Sequence, residues 1–356
     1  MVRILALAFG SPVRRGDFLP SVTVVITAYN EELGLRAKLD NVTSLGYAKS
    51  NVEILVVSDA SSDATDSIAQ SYDPKRVKLL RVEGRRGKTA CQNAAVEIAT
   101  GEIVVFTDAT TRIEPSALVA LVRGFGDQTV GCVAGSLVYE TKSQSLTGQG
   151  GTAYWGYELG LRRAESALGS LVGVSGCLYA VRHSAYRPIP PELISDFVIA
   201  LRIRELGLRT ILEPDAICFE GTHDRPGNEL SMRVRVAIRS INALVHERRL
   251  LNPFRSGSFA WQLWSHKVLR YASPFFWLGA LGANCALVDG LIYRAVLSGQ
   301  IIVLGLGSVG FIVPGRGKRL GVLRKPYYLL LTNVASFLAA ARYIAGERMV
   351  TWKPVR

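Results

Sequence analysis

Short apolar runs alternate with segments of helical periodicity between residues 21 and 140. The apolar runs are 22–26, 54–57, 77–82 and 103–106. The helical segments are 31–43, 65–72, 89–99 and 115–125. Strands that alternate with helices in this way predict a parallel sheet with helices on both of its faces.

The pattern is less regular from residue 130 to residue 230. It predicts strands at 130–138 and 210–212, and a glycine-marked turn that enters a strand within 173–180. It also predicts a helix within 141–170 after a polar loop, and a helix over 197–206 that ends at Gly207. Together with the first half, these elements define an α/β domain of residues 21–230. A leader of residues 1–20 precedes it, and the apolar stretch in that leader is too short to span a bilayer.

The last third of the chain has a different pattern. Apolar and basic residues alternate from residue 231, which predicts an amphipathic helix on a membrane surface, or alternatively an ordinary surface helix, within an interfacial region of residues 231–270. Three apolar stretches follow at 271–293, 296–314 and 327–345, each close to the ~20 residues that cross a bilayer. They predict a membrane region of residues 271–345 with two or three spans, followed by a basic tail of residues 346–356.

Charge places these segments relative to the membrane. The basic loop at 315–326 is predicted to be cytoplasmic, and the α/β domain would share that side. A count of three spans would put the basic tail on the opposite side, against the positive-inside rule, which favours a re-entrant or interfacial third stretch.

Composition supports a membrane surface over nucleic acid as the partner of the basic residues. The net charge is +13 and the mean hydropathy is +0.22, and many basic residues adjoin the apolar stretches without any nucleic-acid-binding signature. The five cysteines are scattered, which predicts reduced thiols and no disulfide framework. The four histidines show no metal-ligand spacing.

Polar residues follow the apolar runs where the predicted strands end. Asp59 follows the second run, Lys88 comes after the third, and Asp108 follows the fourth. Ligands of open α/β sheets bind outside the carboxyl ends of the strands, so these side chains are expected at one ligand site. A lysine at a helix N-terminus with a glycine before it suits a diphosphate, because the ammonium group and backbone N–H groups both face the anion.

Five motifs occur in an order that resembles the family 2 glycosyltransferases, inverting enzymes with a nucleotide-sugar-binding GT-A fold. The motifs are Thr27-Ala28-Tyr29-Asn30-Glu31, Ser58-Asp59-Ala60-Ser61-Ser62-Asp63, Gly87-Lys88, Asp108-Ala109-Thr110 and Ile194-Ser195-Asp196. The likeness runs from about residue 21 to residue 243, and the apolar stretches resemble those of membrane-bound polysaccharide synthases. It implies an α/β, Rossmann-like mixed sheet, mostly parallel, followed by interfacial and transmembrane helices.

The first two motifs would bind the nucleotide if the resemblance holds. The residues that would frame the nucleobase and ribose are Thr27, Tyr29 and Glu31. Asp59 would accept a hydrogen bond from the base. Asn30 is predicted to cap the first helix, which does not exclude a nucleotide role for this motif, and Asp63 is predicted mainly to cap the second helix. An Asx-type turn that caps this helix is the alternative for Asp59.

The later motifs would carry the chemistry. Asp108 would bind Mg²⁺ or Mn²⁺, and Thr110 stands as a weaker ligand where the family has a second aspartate. Asp196 would take the proton from the acceptor hydroxyl, and Gly176 and Cys177 would contact the acceptor. The alternatives are a buried structural role for Asp108 and a helix N-cap for Asp196.

A further motif of processive relatives is only partly present. Arg235 is retained, but Met232 and Val236 stand where those relatives have glutamine and tryptophan. Arg235 would face the diphosphate, with contact to lipid head groups as the alternative. Loss of a tryptophan removes a flat surface for a sugar ring, which favours one or a few transfers per encounter.

The resemblance thus implies sugar transfer from a nucleotide diphosphate sugar, UDP-linked in most relatives, to a glycan or lipid-linked acceptor. Cell-surface polysaccharide or glycolipid synthesis at the cytoplasmic face of the inner membrane is the predicted setting, with membrane lipids and further synthesis subunits as partners. A catalytically silent membrane scaffold is the main alternative. A dinucleotide-dependent oxidoreductase is disfavoured because no G-x-G-x-x-G follows the first strand.

Overall fold

The computed structural model describes residues 10, 13–16, 19–140, 158–221, 226–312 and 324–351. These residues form two compact units. The first unit contains the described residues up to 140, residues 158–221 and residues 350–351, and the second contains residues 226–312 and 324–349. Most of the predicted leader, residues 141–157 of the predicted 141–170 segment, residues 315–323 of the basic loop and residues 352–356 of the basic tail lie outside the described residues.

The first unit is built on a mixed sheet. Its strands are β1 (Val22–Ala28), β2 (Val52–Asp59), β3 (Val77–Val82), β4 (Ile103–Asp108), β5 (Arg112–Ile113), β6 (Val130–Glu140), β7 (Leu178–Arg182) and β8 (Arg209–Gly221), in the order β3-β2-β1-β4-β7-β6-β8-β5. The pairs β1–β2, β1–β4, β2–β3 and β6–β8 are parallel. The strand β7 runs antiparallel to β4 and β6, and β5 is antiparallel to β8. The predicted mixed, mostly parallel sheet is therefore confirmed.

Helices connect these strands as the sequence pattern predicts. They are α1 (Leu35–Thr43), α2 (Thr65–Gln70), α3 (Lys88–Ile98), α4 (Ala117–Arg123), α5 (158–168) and α6 (Ser195–Glu205). The central strands β1 and β4 are buried along almost their whole length, in agreement with their uninterrupted apolar runs.

Three boundaries differ from the predictions. The helix α1 begins at Leu35 rather than at residue 31, because residues 31–34 form a turn in which the amides of Gly34 and Leu35 both donate to the carbonyl of Glu31. The strand predicted at 210–212 is the start of the much longer β8. The two-residue strand β5 is too short to leave a periodic pattern in the sequence.

The second unit is helical. It contains α7 (Pro226–His246), α8 (Pro253–Ser256), α9 (Ser258–Leu263), α10 (Leu269–Ala286), α11 (Leu291–Ile312) and α12 (Arg324–Ile344). The predicted amphipathic helix is present as α7, and the apolar residues Val234, Ala237 and Ile238 pack against Ala335 and Ala339 of α12. Part of the face that we expected to lie on lipid is thus covered by protein.

One helix of the described residues, at Leu291–Gly310, is long and apolar enough to cross a membrane. Its side chains are largely exposed, including Leu291 and Ile292. The predicted first stretch, 271–293, is not one helix, because α10 ends at Ala286 and a turn precedes α11.

Candidate functional site

Parallel pairing brings the predicted ligand-binding strand ends side by side. Thr27 lies in register with Asp108, and Ala28 lies in register with Ser58, next to Asp59. Thr27 is itself buried. The loops that follow β1, β2 and β4 therefore leave the sheet at one edge, as expected for this fold class.

Hydrogen bonds join the loop after β1 to the loop after β2. The amide of Asn30 donates to Ser61 Oγ over 3.1 Å, and the amide of Ser62 donates to Asn30 Oδ1 over 2.8 Å. The amide of Glu31 donates to Thr65 Oγ1 over 2.8 Å. Asn30 has a φ of 54°, a left-handed conformation that asparagine tolerates better than most residues. Asn30 does not cap α1, whose N-cap residue is Gly34, so that interpretation was wrong.

Asp63 has the predicted capping contact. Its Oδ1 accepts a hydrogen bond from the amide of Thr65, the first residue of α2, over 3.0 Å. Its Oδ2 accepts from the amide of Glu32 over 3.1 Å. Asp63 therefore links the loop after β1 to the loop after β2.

Asp59 is fully buried and supports the loop that carries Lys88. Its Oδ1 accepts a hydrogen bond from the amide of Arg86 over 2.7 Å, and its Oδ2 accepts from the amide of Gly87 over 3.0 Å. Gly87 has a φ of 88°, which a residue with a side chain adopts only with strain. The bend at Gly87 places Lys88 at the N-terminus of α3. Hydrogen bonding of Asp59 to a nucleobase stays a prediction.

Lys88, Asp108 and Asp196 surround Gly176. A methyl group added at Gly176 would lie 3.0 Å from Lys88 Nζ, 3.1 Å from Asp196 Oδ2 and 3.7 Å from Asp108 Oδ2. Lys88 and Asp108 also form an ion pair. Burial opposes the charge of Lys88, but Asp108 and Asp196 raise its pKa above the usual value. Two carboxylates and one ammonium group from separate parts of the sequence thus lie within 4 Å of the same point next to Gly176.

Asp196 lies in the first turn of α6. The N-cap residue of this helix is Ile194, so the alternative of Asp196 as N-cap does not hold. The amide of Val174 donates to the carbonyl of Asp196 over 2.9 Å, which fixes the start of α6 to the turn that contains Gly176. Asp196 is only partly buried, as a proton acceptor for a bound hydroxyl must be.

Arg85 covers the ring of Tyr29. The guanidinium carbon of Arg85 lies 3.6 Å from the ring centroid, which is a cation–π contact. The Nε and Nη2 atoms of Arg85 are buried and have no hydrogen-bond partner. One face of the Tyr29 ring is therefore covered by a side chain of the same protein, and its packing against a nucleobase stays a prediction.

The turn after β4 fits a divalent cation that also binds donor phosphates. The side chain of Asp108 is 28% exposed and Thr110 is exposed, so both can present oxygen atoms, the ligands that Mg²⁺ and Mn²⁺ accept. Within the described ranges no group of three or more His, Cys, Asp or Glu side chains could hold a metal ion. Mg²⁺ is commonly bound through one or two carboxylates together with substrate phosphates, and this donor set matches that mode.

Sequence reasoning missed Lys38 and Glu220. Burial lowers the pKa of Lys38 to about 7, against the effect of the negative charge of Asp108. Burial, together with the charge of Asp108, raises the pKa of Glu220 to about 7, and Cys177 Sγ donates to Glu220 Oε2 over 3.4 Å. Lys38 has a signal in the sequence, because it shares the helical spacing of the apolar residues Leu35, Leu39 and Val42. Glu220 has none.

Arg235 lies on α7 in the second unit and is partly buried. Its predicted position facing the diphosphate, and the acceptor contacts of Gly176 and Cys177, stay predictions. Both Gly176 and Cys177 are buried. Burial raises the pKa of the Cys177 thiol, so this cysteine is a poor nucleophile.

Residues 23–189 match the family model described as Glycosyl transferase family 2. An N-acetylglucosaminyltransferase of Rhizobium sp. (strain N33) is 29% identical over 253 residues, which cover 66% of this chain and 56% of the relative. The poly-beta-1,6-N-acetyl-D-glucosamine synthase of Staphylococcus aureus (strain COL) is 26% identical over 228 residues, with coverage of 62% and 55%. The chain thus spans about half the length of these curated relatives.

A solved structure has the same fold over nearly the whole chain. It is the mannosyltransferase PcManGT from Pyrobaculum calidifontis in complex with GDP-Man and Mn²⁺, with a TM-score of 0.74 and 23% identity. The match covers 98% of this chain and 100% of that chain. The predicted GT-A fold with C-terminal helices is thereby confirmed.

Proposed function

Because the chain belongs to glycosyl transferase family 2, we propose that it is an inverting enzyme that uses a UDP-linked sugar. The acceptor is a hydroxyl group of a glycan or of a lipid-linked saccharide. The observation that carries this proposal is the placement of Lys88, Asp108 and Asp196 around Gly176. It offers a cation for a diphosphate, a carboxylate for a metal ion, and a carboxylate for the acceptor proton.

Each residue has one role in the proposed reaction. Asp196 accepts the proton of the acceptor hydroxyl as its oxygen attacks the anomeric carbon. The bond from that carbon to the diphosphate oxygen breaks, and the diphosphate leaves with the electron pair. Attack opposite to the leaving group inverts the configuration. Lys88 binds the diphosphate, and Mg²⁺ or Mn²⁺ held by Asp108 and Thr110 would offset its growing charge.

The names of the two relatives favour N-acetylglucosamine as the sugar and polysaccharide synthesis as the setting. The stacking of a nucleobase on Tyr29 and a hydrogen bond of Asp59 to the base are part of the same proposal, as are base or ribose contacts of Thr27 and Glu31. The alternative of a catalytically silent scaffold is not favoured, because a scaffold gives no reason to keep Asp196 next to Lys88.

We place the enzyme at the cytoplasmic face of the inner membrane, with α11 in the bilayer. Val350, which follows α12 and belongs to the first unit, lies against the loop at Gly87: a methyl group added at Gly87 would clash with the carbonyl oxygen of Val350. Residues 87 and 350 therefore share one side of the membrane. A single crossing by α11 would separate them, so the proposal requires that a second helix also crosses the membrane.

The test of the proposed activity is release of UDP in purified membranes, measured for a panel of UDP-sugars with Mn²⁺, with Mg²⁺ and with neither ion. We expect metal-dependent release, and we expect D196N to lower transfer by at least about 10²-fold because the proton acceptor is lost. The exchange D215N on the exposed part of β8 is the matched control. Background release of UDP by both D196N and the unmodified chain would support the scaffold, and equal release above background would show that Asp196 is not the proton acceptor.

A further inference from the structure

Lys38 is a buried lysine without a role in the proposed reaction. It is 3% exposed and shares the inner face of α1 with Leu35, Leu39 and Val42. A buried amine is costly unless its N–H groups are hydrogen-bonded. Its partners therefore indicate why a charged residue stands at an apolar position.

The amine of Lys38 binds the two ends of the turn that carries Asp108. Its Nζ donates to Thr107 Oγ1 over 2.8 Å, to the carbonyl of Thr111 over 2.8 Å and to Thr111 Oγ1 over 3.0 Å. An ammonium group has three N–H donors, and these three acceptors match them. Asp108 and Thr110 lie between the two threonines.

The same threonines extend the network to the other side of the site. Thr107 Oγ1 donates to the carbonyl of Cys177 over 2.9 Å, and Thr111 Oγ1 donates to the carbonyl of Asp108 over 2.9 Å. The hydroxyl oxygen of each threonine can thus accept from Lys38 while its hydrogen is donated elsewhere. Through these contacts Lys38 connects the turn at 107–111 to the turn at Gly176 and Cys177.

We infer that Lys38 is a positioning residue that holds the metal-binding and diphosphate-binding turn at a fixed distance from the acceptor-side turn. The inference rests on the proposed function of Asp108 and Thr110. Lys38 would act on the reactants through these turns. Loss of such supporting contacts costs about 10–100-fold in metal affinity or activity at other metal sites.

The test compares K38M with N41L in the full-length protein. Methionine retains the volume of the buried chain but has no N–H donors. Asn41 lies one turn further along α1, and its side chain makes two hydrogen bonds of 2.8 Å with the backbone of Ile113, outside the turn at 107–111. The two variants should therefore lower the melting temperature by similar amounts. T111V, which removes one hydroxyl, is the milder variant if K38M does not fold.

Free Mn²⁺ is measured by electron paramagnetic resonance in the presence of UDP, and kcat and KM are measured for the acceptor and donor. We expect K38M and T111V to weaken Mn²⁺ binding and to lower kcat, by about 10–100-fold for K38M, whereas N41L leaves both unchanged. Unmodified protein that binds no Mn²⁺ would overturn the proposed metal site and this inference together. Normal Mn²⁺ binding by K38M and T111V, with a lower melting temperature, would overturn this inference alone.

Discussion

Lys88 forms an ion pair with Asp108, the carboxylate that the proposed reaction assigns to the divalent cation. Both side chains are partly exposed. In the chain without a donor, the ammonium group therefore neutralises the group that a metal ion needs. A diphosphate that binds Lys88 would release Asp108, so donor and metal should bind with positive coupling.

Replacement of Lys88 by methionine should change the affinities for metal and for nucleotide in opposite directions. Without its competitor, Asp108 should bind Mn²⁺ several-fold more tightly in the absence of UDP, as the energy of a partly exposed ion pair is below about 1 kcal/mol. UDP should bind about 10–100-fold more weakly, because a charge-assisted hydrogen bond is worth about 1.5–3 kcal/mol. Calorimetric titrations with each ligand measure both effects, with K75M at the exposed Lys75 as control. Weaker binding of Mn²⁺ to K88M would contradict this account.

Replacement of Gly176 by alanine should impair catalysis without loss of stability. The new methyl group would contact Lys88 Nζ and Asp196 Oδ2 at 3.0 and 3.1 Å, so the two reactive side chains must move. Because a displacement of about 1 Å can cost 10²-fold in rate, we expect kcat/KM to fall by more than about tenfold. G169A is the control, since a methyl group there has no neighbour within 4 Å. Equal kcat/KM for G176A and G169A would show that the crowding has no consequence.

Replacement of Asp59 by asparagine should weaken nucleotide binding through the loop at 84–87. The carboxylate accepts hydrogen bonds from the amides of Arg86 and Gly87, and the NH₂ group of asparagine would face one of these donors. An unsatisfied buried donor costs about 1–3 kcal/mol, so the melting temperature should fall as well. Thermal unfolding and UDP titration measure the two effects. Retention of both values would show that the loop does not depend on this carboxylate.

The lowered pKa of Glu53 leads us to expect that the protein loses stability in acid. Burial by itself raises the pKa of Glu53, but hydrogen bonds from Lys78, Thr23 and Thr100 outweigh this effect and lower it to about 2 from 4.5. Since the folded pKa is depressed, the stabilisation is complete above about pH 4.5 and is lost as the pH falls toward about 2. E53Q should lower the melting temperature near pH 7 and remove part of this pH dependence. If the melting temperatures of E53Q and of the unmodified protein fall equally between pH 5 and pH 2.5, groups other than Glu53 cause the acid response.

The placement of the strand-end residues on the proposed donor side could be predicted from the sequence, because it follows from local pattern and parallel pairing. Apolar runs define β1, β2 and β4, and each run is followed by a polar residue at the same edge of the sheet. The position of Asp108 beside Thr27 needs no knowledge of the rest of the chain.

The acceptor side could not be derived in the same way. The antiparallel strand β7 enters between β4 and β6, and only this long-range pairing brings Gly176 to Lys88. Asp196 was assigned through family resemblance, and the structure adds the position of its side chain. Glu220 was missed because it lies near the end of β8, and the part of this strand beyond residue 212 has no regular pattern in the sequence.

The guanidinium group that rests on Tyr29 has a consequence for the energetics of donor recognition. A nucleobase that stacks on this ring must displace the guanidinium group of Arg85, so binding replaces one stacking partner of Tyr29 by another. The heat released on mixing then reports the difference between two stacked states. An enthalpy near zero for UDP would thus be compatible with a well-formed base contact in this protein.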